Sequence, residues 1–439
     1  MKKILALLLA MVMMLTMMAG CNKQPADDNS GDVNNSESEN QGEENQGEET
    51  PDYDKILTDA ATALGCLAQQ NPGATGDYKV AMITDYGDIT DQSFNQTAYE
   101  ACKAFSEENS VDFKYYKPAG DSTAERVAMV DAAVADGYNV IVMPGFAFGG
   151  TVVEAAPLYP DVKFIVLDVS KGDLLEAGVA AKGETYDYNP DNWNLEDYVD
   201  MSNVYCAIYQ EELCGYMAGY AAVKLGYTKL GFLGGMAVPA VVRYGYGFVQ
   251  GADAAAAELG AEVSINYAYG NQFYGDPDIT AAMDTWYAAG TEVVFACGGG
   301  IYTSAAEAAA KVDGKVIGVD VDQAAIINSL QNTEGMTVTS AMKGLYPTTY
   351  DTLTDVIVNG NWEAYAGKIE ALGLVSGDDP TLNYVQIPME STQWSDSFTQ
   401  DDYKALVAAM FNGEIVVSND ISAEPAVTAV TVDYQGNIK

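Results

Sequence analysis

The chain has 439 residues, 63 acids against 21 Lys and Arg, no histidine, and a formal charge of −42. That balance excludes nucleic acid as a partner, because phosphate recognition needs clustered Lys and Arg, and it excludes electrostatic docking on anionic lipid. Besides Cys21 there are five cysteines, irregularly spaced and without a Cys-x-x-Cys pair, so these five read as small apolar residues rather than a disulfide framework or a metal site.

Lys2 and Lys3 precede an apolar stretch from Ile4 to Met18, followed by Ala19-Gly20-Cys21. A basic start, an apolar run of about fifteen residues and small residues before a cleavage point predict a secretory signal over residues 1–20. The run is shorter than the roughly 20 residues that a membrane-crossing helix needs. Residues 21–52 carry acids without Lys or Arg beyond Lys23, among many Asn, Gly, Ser and Gln. Such a segment cannot bury enough apolar surface to offset its ordering entropy, and predicts an acidic disordered tether. An extra helix is expected within residues 53–77.

From Tyr78 onward two periods alternate. β-branched runs fall at 79–85, 139–145, 163–168, 204–209, 229–235, 292–297 and 315–320, and Ala-rich segments with helical spacing lie at 91–108, 124–136, 211–224, 246–259 and 304–312. Strand and helix alternating in this way predict an α/β fold of parallel sheets covered by helices on both faces. The length of this body exceeds what one core usually supports, so two lobes are expected. The expected division is 78–203 for the first lobe, with a surface insertion at 171–203, then 204–320 for the second. Residues 321–377 are expected to return to the first lobe and 378–439 to the second.

In open α/β sheets, ligands sit outside the carboxyl ends of strands. After the first strand comes Asp85-Tyr86-Gly87-Asp88-Ile89-Thr90-Asp91-Gln92-Ser93-Phe94-Asn95, with Asp91 placed to accept from the N-terminus of the next helix. The string resembles the Asp-Gly-x-x-Asp-x-Ser-Phe-Asn signature of the basic membrane protein (Bmp) family, nucleoside-binding lipoproteins of ABC uptake systems. Further blocks follow in family order: Val140 to Phe146, Tyr159 to Phe164, Gly234-Gly235-Met236 with Tyr244 and Gly247-Phe248, Val316 to Gln323, and Thr339 to Lys343.

The resemblance implies a two-lobed type I periplasmic-binding-protein fold with the ligand in the cleft between lobes. It implies that Asp85 reads the base, that Phe94 and Tyr244 clamp it, and that Asp320, helped by Lys343, accepts from the ribose hydroxyls. Gly298 and Gly299 would approach the sugar by backbone, within a Cys297-Gly298-Gly299-Gly300 string that departs from the family's Gly-x-Gly ending. Asn95 and Gly145, inside matching blocks, complete the candidate ligand contacts. Cys21 matches a lipobox cysteine, with Met18 where Leu is usual. The implied protein is a monomer without a cofactor, lipid-anchored on the extracytoplasmic face of a bacterial membrane and delivering a nucleoside to an ABC permease and ATPase.

The residues alone leave other ligands open: a sugar or another polar metabolite in the same shell, or a receptor without a transport role. Catalysis is the rival of another class, since nucleoside hydrolases also pair carboxylates with riboses, and Asp85, Asp91, Asp320 and Asp322 are the available acids. Histidine, the commonest general base, is absent throughout, and no Gly-x-Ser-x-Gly elbow occurs. The sequence therefore reads as a binding protein, not an enzyme.

Overall fold

The computed structural model describes residues 77–330 and 334–439. The signal, the tether, Cys21 and the helix expected within 53–77 lie outside the described residues. Two parallel sheets carry the fold. The first is built from β1 (Lys79–Ile83), β2 (Asp112–Tyr116), β3 (Val140–Pro144), β4 (Lys163–Leu167) and β5 (Val204–Tyr209), joined by β11 (Ile369–Leu372), in the order β11-β5-β4-β3-β1-β2. The second contains β6 (Lys229–Gly234), β7 (Val263–Tyr269), β8 (Val293–Cys297), β9 (Lys315–Asp320), β10 (Thr337–Lys343), β12 (Val385–Gln386) and β13 (Val430–Asn437), in the order β12-β10-β9-β8-β6-β7-β13. Every pairing is parallel except that of β10 with β12.

The central strands are apolar runs because helices cover both faces. All five residues of β3 and all five of β8 are buried. The first lobe carries α1 (Phe94–Asn109), α2 (Thr123–Ala135), α3 (Gly149–Ala155) and α4 (Lys171–Ala181). The second carries α5 (Glu211–Lys224), α6 (Pro239–Leu259), α7 (Pro277–Ala288), α8 (Tyr302–Ala310) and α9 (Ala324–Leu330). Then α10 (Leu345–Leu353) packs on α1 through an edge-on contact of Tyr350 with Phe105, and α11 (Gln400–Phe411) closes the second lobe, its Tyr403 hydroxyl accepting from the Ile387 N–H.

Local chemistry sets the helix ends. Ser122 caps α2 by accepting from the Glu125 N–H, and Ser170 with Asp173 forms a capping box on α4. Pro239 opens α6 and Gly260, at φ 61°, ends it. The predicted start of that helix at 246 is thus seven residues late. The pair α5/α6 packs almost backbone to backbone: a Cβ on Gly215 or Gly219 would strike the Tyr244 or Phe248 carbonyl, and one on Gly247 or Gly251 the Glu212 or Tyr216 carbonyl. This contact sets the first half of α5 against the middle of α6, where Tyr244 lines the cleft.

Three expected boundaries are corrected. β5 belongs to the first sheet, with Phe164 opposite Val204 and Leu167 opposite Ala207, so the chain first crosses at Gln210. A strand buried on both faces has no polar side to reveal which sheet it joins. The chain also stays in the second lobe past 321, because β10 pairs with β9, and it returns only at Gly344. Residues 171–203 do not form a surface insertion throughout: 171–181 is α4, the covering helix between β4 and β5, followed by an aromatic loop in which Trp193 packs against Tyr186 and Tyr198. The third crossing runs from Leu372 to Val385. The crossing segments bond to one another, with Gln210 N–H donating to Leu372 O, Gly344 N–H to Tyr384 O and Tyr384 N–H to Gly373 O.

Candidate functional site

The carboxyl ends of β1, β3 and β4 face those of β8, β9 and β10 across a cavity of about 390 Å³. Asp85, Phe94, Asn95, Gly145, Tyr244, Gly298, Gly299, Asp320 and Lys343 all line it. Residues up to 258 positions apart are thereby brought to one space.

On the first lobe, the chain leaves β1 in a tight turn. Asp85 Oδ1 accepts from the N–H of Tyr86 at 2.7 Å and of Gly87 at 2.8 Å. Burial raises the Asp85 carboxyl above its ordinary range, against the pull of those two N–H groups. Gly145, at φ 131°, passes so close that a Cβ there would lie 2.9 Å from Asp85 Oδ2. Asp91 then caps α1 from outside the helix: its carboxylate accepts from the N–H groups of Ser93, Asn95 and Gln96. The helix begins at Phe94 rather than at Asp91. Asn95 donates its amide to Asp91 at 3.2 Å, while its own Oδ1 is buried without a partner among the described residues. Phe94, half-buried, turns its ring to the cavity, with Lys343 Nζ 4.7 Å from the ring centre.

On the second lobe, Asp320 ends β9 with φ 64°, a left-handed backbone that directs its carboxylate across the cleft. It accepts from Ser93 Oγ at 2.6 Å and from the Tyr244 hydroxyl at 3.3 Å. Lys343 Nζ lies 2.5 Å from Asp168 Oδ2, 3.4 Å from Glu211 Oε1 and 3.8 Å from Asp320 Oδ1. Arg243 Nε completes the network on Glu211 at 2.7 Å. Burial opposes the Lys343 ammonium, but the carboxylates of Asp168, Glu211 and Asp320 outweigh it and hold its pKa above the usual lysine value. Burial likewise pushes Asp168 up to about 6, with Lys343 pulling the other way.

Tyr244 is placed differently from a free stacking ring. It is 2% exposed, its ring packs edge-on against Phe295 at 6.0 Å, and its hydroxyl is its polar contribution. The half-buried ring lining the cavity from this lobe is Phe273. Gly298 (φ 145°) and Gly299 (φ 49°) make room for it: a Cβ on the first would lie 2.8 Å from the Phe273 ring, and on the second 2.7 Å from its carbonyl.

Sequence reasoning missed Phe273, Asp168, Glu211 and Ser93. A signal for Asp168 existed, because it closes an apolar run as Asp85 and Asp320 do. Its Oδ1 is buried and unpartnered among the described residues, beside the cavity that Asp168 lines. Phe273 follows β7, a strand that was not anticipated. The carboxylates of Asp85, Asp168 and Asp320, the Lys343 ammonium and the half-buried rings of Phe94 and Phe273 are among the groups around a space sized for a small molecule.

Two lobes of helix-covered parallel sheet, linked by crossing segments and enclosing such a cavity, define a type I solute-binding protein. The chain belongs to the Bmp family, described as ABC transporter substrate-binding protein PnrA-like, whose model matches residues 78–387. Its class is therefore a substrate-binding protein rather than an enzyme. The chain is 28% identical over 284 residues to the ABC transporter nucleoside-binding protein BmpA of Lactococcus lactis, covering 61% of this chain and 72% of that one. It is 26% identical to a CD4+ T-cell-stimulating antigen of Listeria monocytogenes, over 56% of this chain and 64% of that one. An ABC transporter system solute-binding protein from Conexibacter woesei superposes with a TM-score of 0.57 at 21% identity, covering 78% of this chain and 99% of the other, a likeness of fold. No helix among the described residues is long and apolar enough to cross a membrane.

Proposed function

We propose that the protein captures a nucleoside between its lobes and delivers it to an ABC permease driven by an ATPase. Anchoring through a lipid on Cys21 at the extracytoplasmic face of the membrane is part of the same reading. The observation that carries it is the convergence of Asp320, Lys343 and Phe94 on one cavity between the lobes. Ribose presents vicinal hydroxyls, and an ionised carboxylate accepts them through charge-assisted bonds. A base presents two flat faces, and Phe94 from one lobe with Phe273 from the other supplies aromatic surface for both, each stacked base gaining roughly 1–3 kcal/mol. Asp85 and Asn95 line the cavity beside Phe94, and Asp85 is the acceptor this reading assigns to the base edge. The name of the Lactococcus lactis relative, a nucleoside-binding protein, points the same way.

Isothermal calorimetry with ribonucleosides, free bases and pentoses tests the reading. Heat with ribonucleosides and little with bases or pentoses upholds it. Heat with a sugar and none with any nucleoside replaces the ligand and leaves the fold.

A further inference from the structure

Ser93 is the N-cap residue of α1, yet its side chain makes no cap hydrogen bond. A serine there ordinarily accepts from an N–H of the first helical turn. Here Asp91 has taken that task, accepting from the N–H groups of Asn95 and Gln96. The Ser93 hydroxyl is thereby released, and it donates instead to Asp320 Oδ2 on the other lobe at 2.6 Å. Next to it, Gln323 Nε2 donates to the Gln92 carbonyl at 3.1 Å, again from one lobe to the other. Gln92 holds φ 56° and Asp320 φ 64°, so one residue of each cross-lobe bond sits on a left-handed backbone. Ser93 is fully buried, Gln323 is 1% exposed and Asp320 5%.

Resting on the nucleoside reading above, we propose that Ser93 is a closure-dependent positioning residue: its hydroxyl grips Asp320 when the lobes meet, and so couples closing to recognition of the ligand's hydroxyls. The bond joins separate lobes, so opening the cleft breaks it. When closed, it occupies one side of Oδ2 and fixes the carboxylate plane; with the Tyr244 hydroxyl on Oδ1, one lone pair on each oxygen is left to the ligand. A ligand already in the cleft is then held by the latch as well as by its own contacts, and the latch acts on release rather than on entry.

The test uses the full chain with adenosine, inosine and uridine as probes, read by stopped-flow fluorescence and calorimetry. Ser93→Ala is expected to release the bound nucleoside about tenfold faster or more, the loss typical of a hydrogen bond to a charged group, with association within about twofold of wild type. Ser93→Gly separates this from helix capping, since glycine is nearly as good an N-cap as serine. A latch effect persists in the glycine variant, and a capping effect is restored. Release at the wild-type rate in both variants, or restoration by glycine, overturns the proposal. If wild type takes up none of the probes, the nucleoside reading fails separately. The latch is then judged by small-angle scattering of the ligand-free proteins: variants more extended than wild type uphold it, and superimposable curves overturn it.

Discussion

Lys343 Nζ and Asp168 Oδ2 stand 2.5 Å apart, joining the last residue of β10 in one lobe to the residue that follows β4 in the other. Around that ammonium are two further carboxylates, Glu211 and Asp320, and all of these side chains are at most 9% exposed. Removing one partner of a buried ion pair costs about 3–5 kcal/mol, because the remaining charges lose their compensation. Lys343→Met should therefore lower the melting temperature sharply at pH 8. At pH 5 the loss should be smaller, since Asp168, pushed up to about 6, is then protonated and no longer needs the cation. Thermal melts at the two pH values check this, and equal losses at both would remove Asp168 from the explanation.

Phe94 and Phe273 should behave as ligand contacts and Tyr244 as part of the frame. Phe94 and Phe273 are half-buried at the cavity, whereas Tyr244 is 2% exposed and packed on Phe295. Phe94→Ala and Phe273→Ala should each weaken nucleoside binding by roughly 1–3 kcal/mol, the stacking contribution, with little change in ligand-free melting. Tyr244→Ala should lower the melting temperature of the ligand-free protein, since truncating a buried aromatic costs about 3–5 kcal/mol. Paired melting and calorimetry on the three variants decide the assignment, and a Tyr244→Ala protein that melts as wild type would return that ring to the clamp.

Much of this was legible in the residues, for identifiable reasons. The central strands were readable because burial on both faces makes them continuous apolar runs, as in Val140 to Pro144. The site strings were readable because strand ends carry chemistry: Asp85 and Asp320 each close such a run. The same burial hid the sheet to which β5 belongs, since a run without a polar face carries no information about its neighbours. Edge strands were missed for the opposite reason. β2 alternates exposed and half-buried residues from Asp112 to Tyr115, and β13 is mostly exposed or half-buried after Val430, so neither shows an apolar block. Phe273 was lost with the unrecognised β7, and the Ser93 contact with Asp320 spans 227 positions, beyond the reach of any local pattern.

Glu212 gives a pH dependence independent of the ligand. It is 3% exposed, its Oε2 has no partner among the described residues, and burial, reinforced by Glu211, pushes its carboxyl up to about 7 from the ordinary 4.5. The folded state thus keeps a proton that the unfolded chain releases. The stability from that proton is fully present below about 4.5 and is lost as the pH rises through about 7. Glu212→Gln removes the ionisation, so relative to wild type the variant should gain on the order of 1–3 kcal/mol between pH 5 and pH 8. Denaturant titrations of both proteins at the two pH values measure it, and a constant difference would mean that Glu212 is already ionised at pH 5.

Asp320→Asn bears most directly on the ligand. The substitution keeps the shape of the side chain but exchanges a two-oxygen acceptor for one acceptor and an N–H donor pair. At Oδ2 the Ser93 hydroxyl can re-orient, and at Oδ1 the Tyr244 hydroxyl and Lys343 are near, so the fold has partners for either end of an amide. The ligand hydroxyls have no such freedom, because each charged hydrogen bond they lose is worth about 1.5–3 kcal/mol. Affinity for a ribonucleoside should fall roughly tenfold to a hundredfold or more, while the melting temperature of the ligand-free protein should move far less. Wild type should bind 2′-deoxynucleosides more weakly than ribonucleosides, since an acceptor built for the hydroxyl is left unpaired, and Asp320→Asn should narrow that gap. Calorimetry of both proteins with adenosine and 2′-deoxyadenosine reads all of these quantities. Equal discrimination in wild type and variant would show that Asp320 does not touch the sugar.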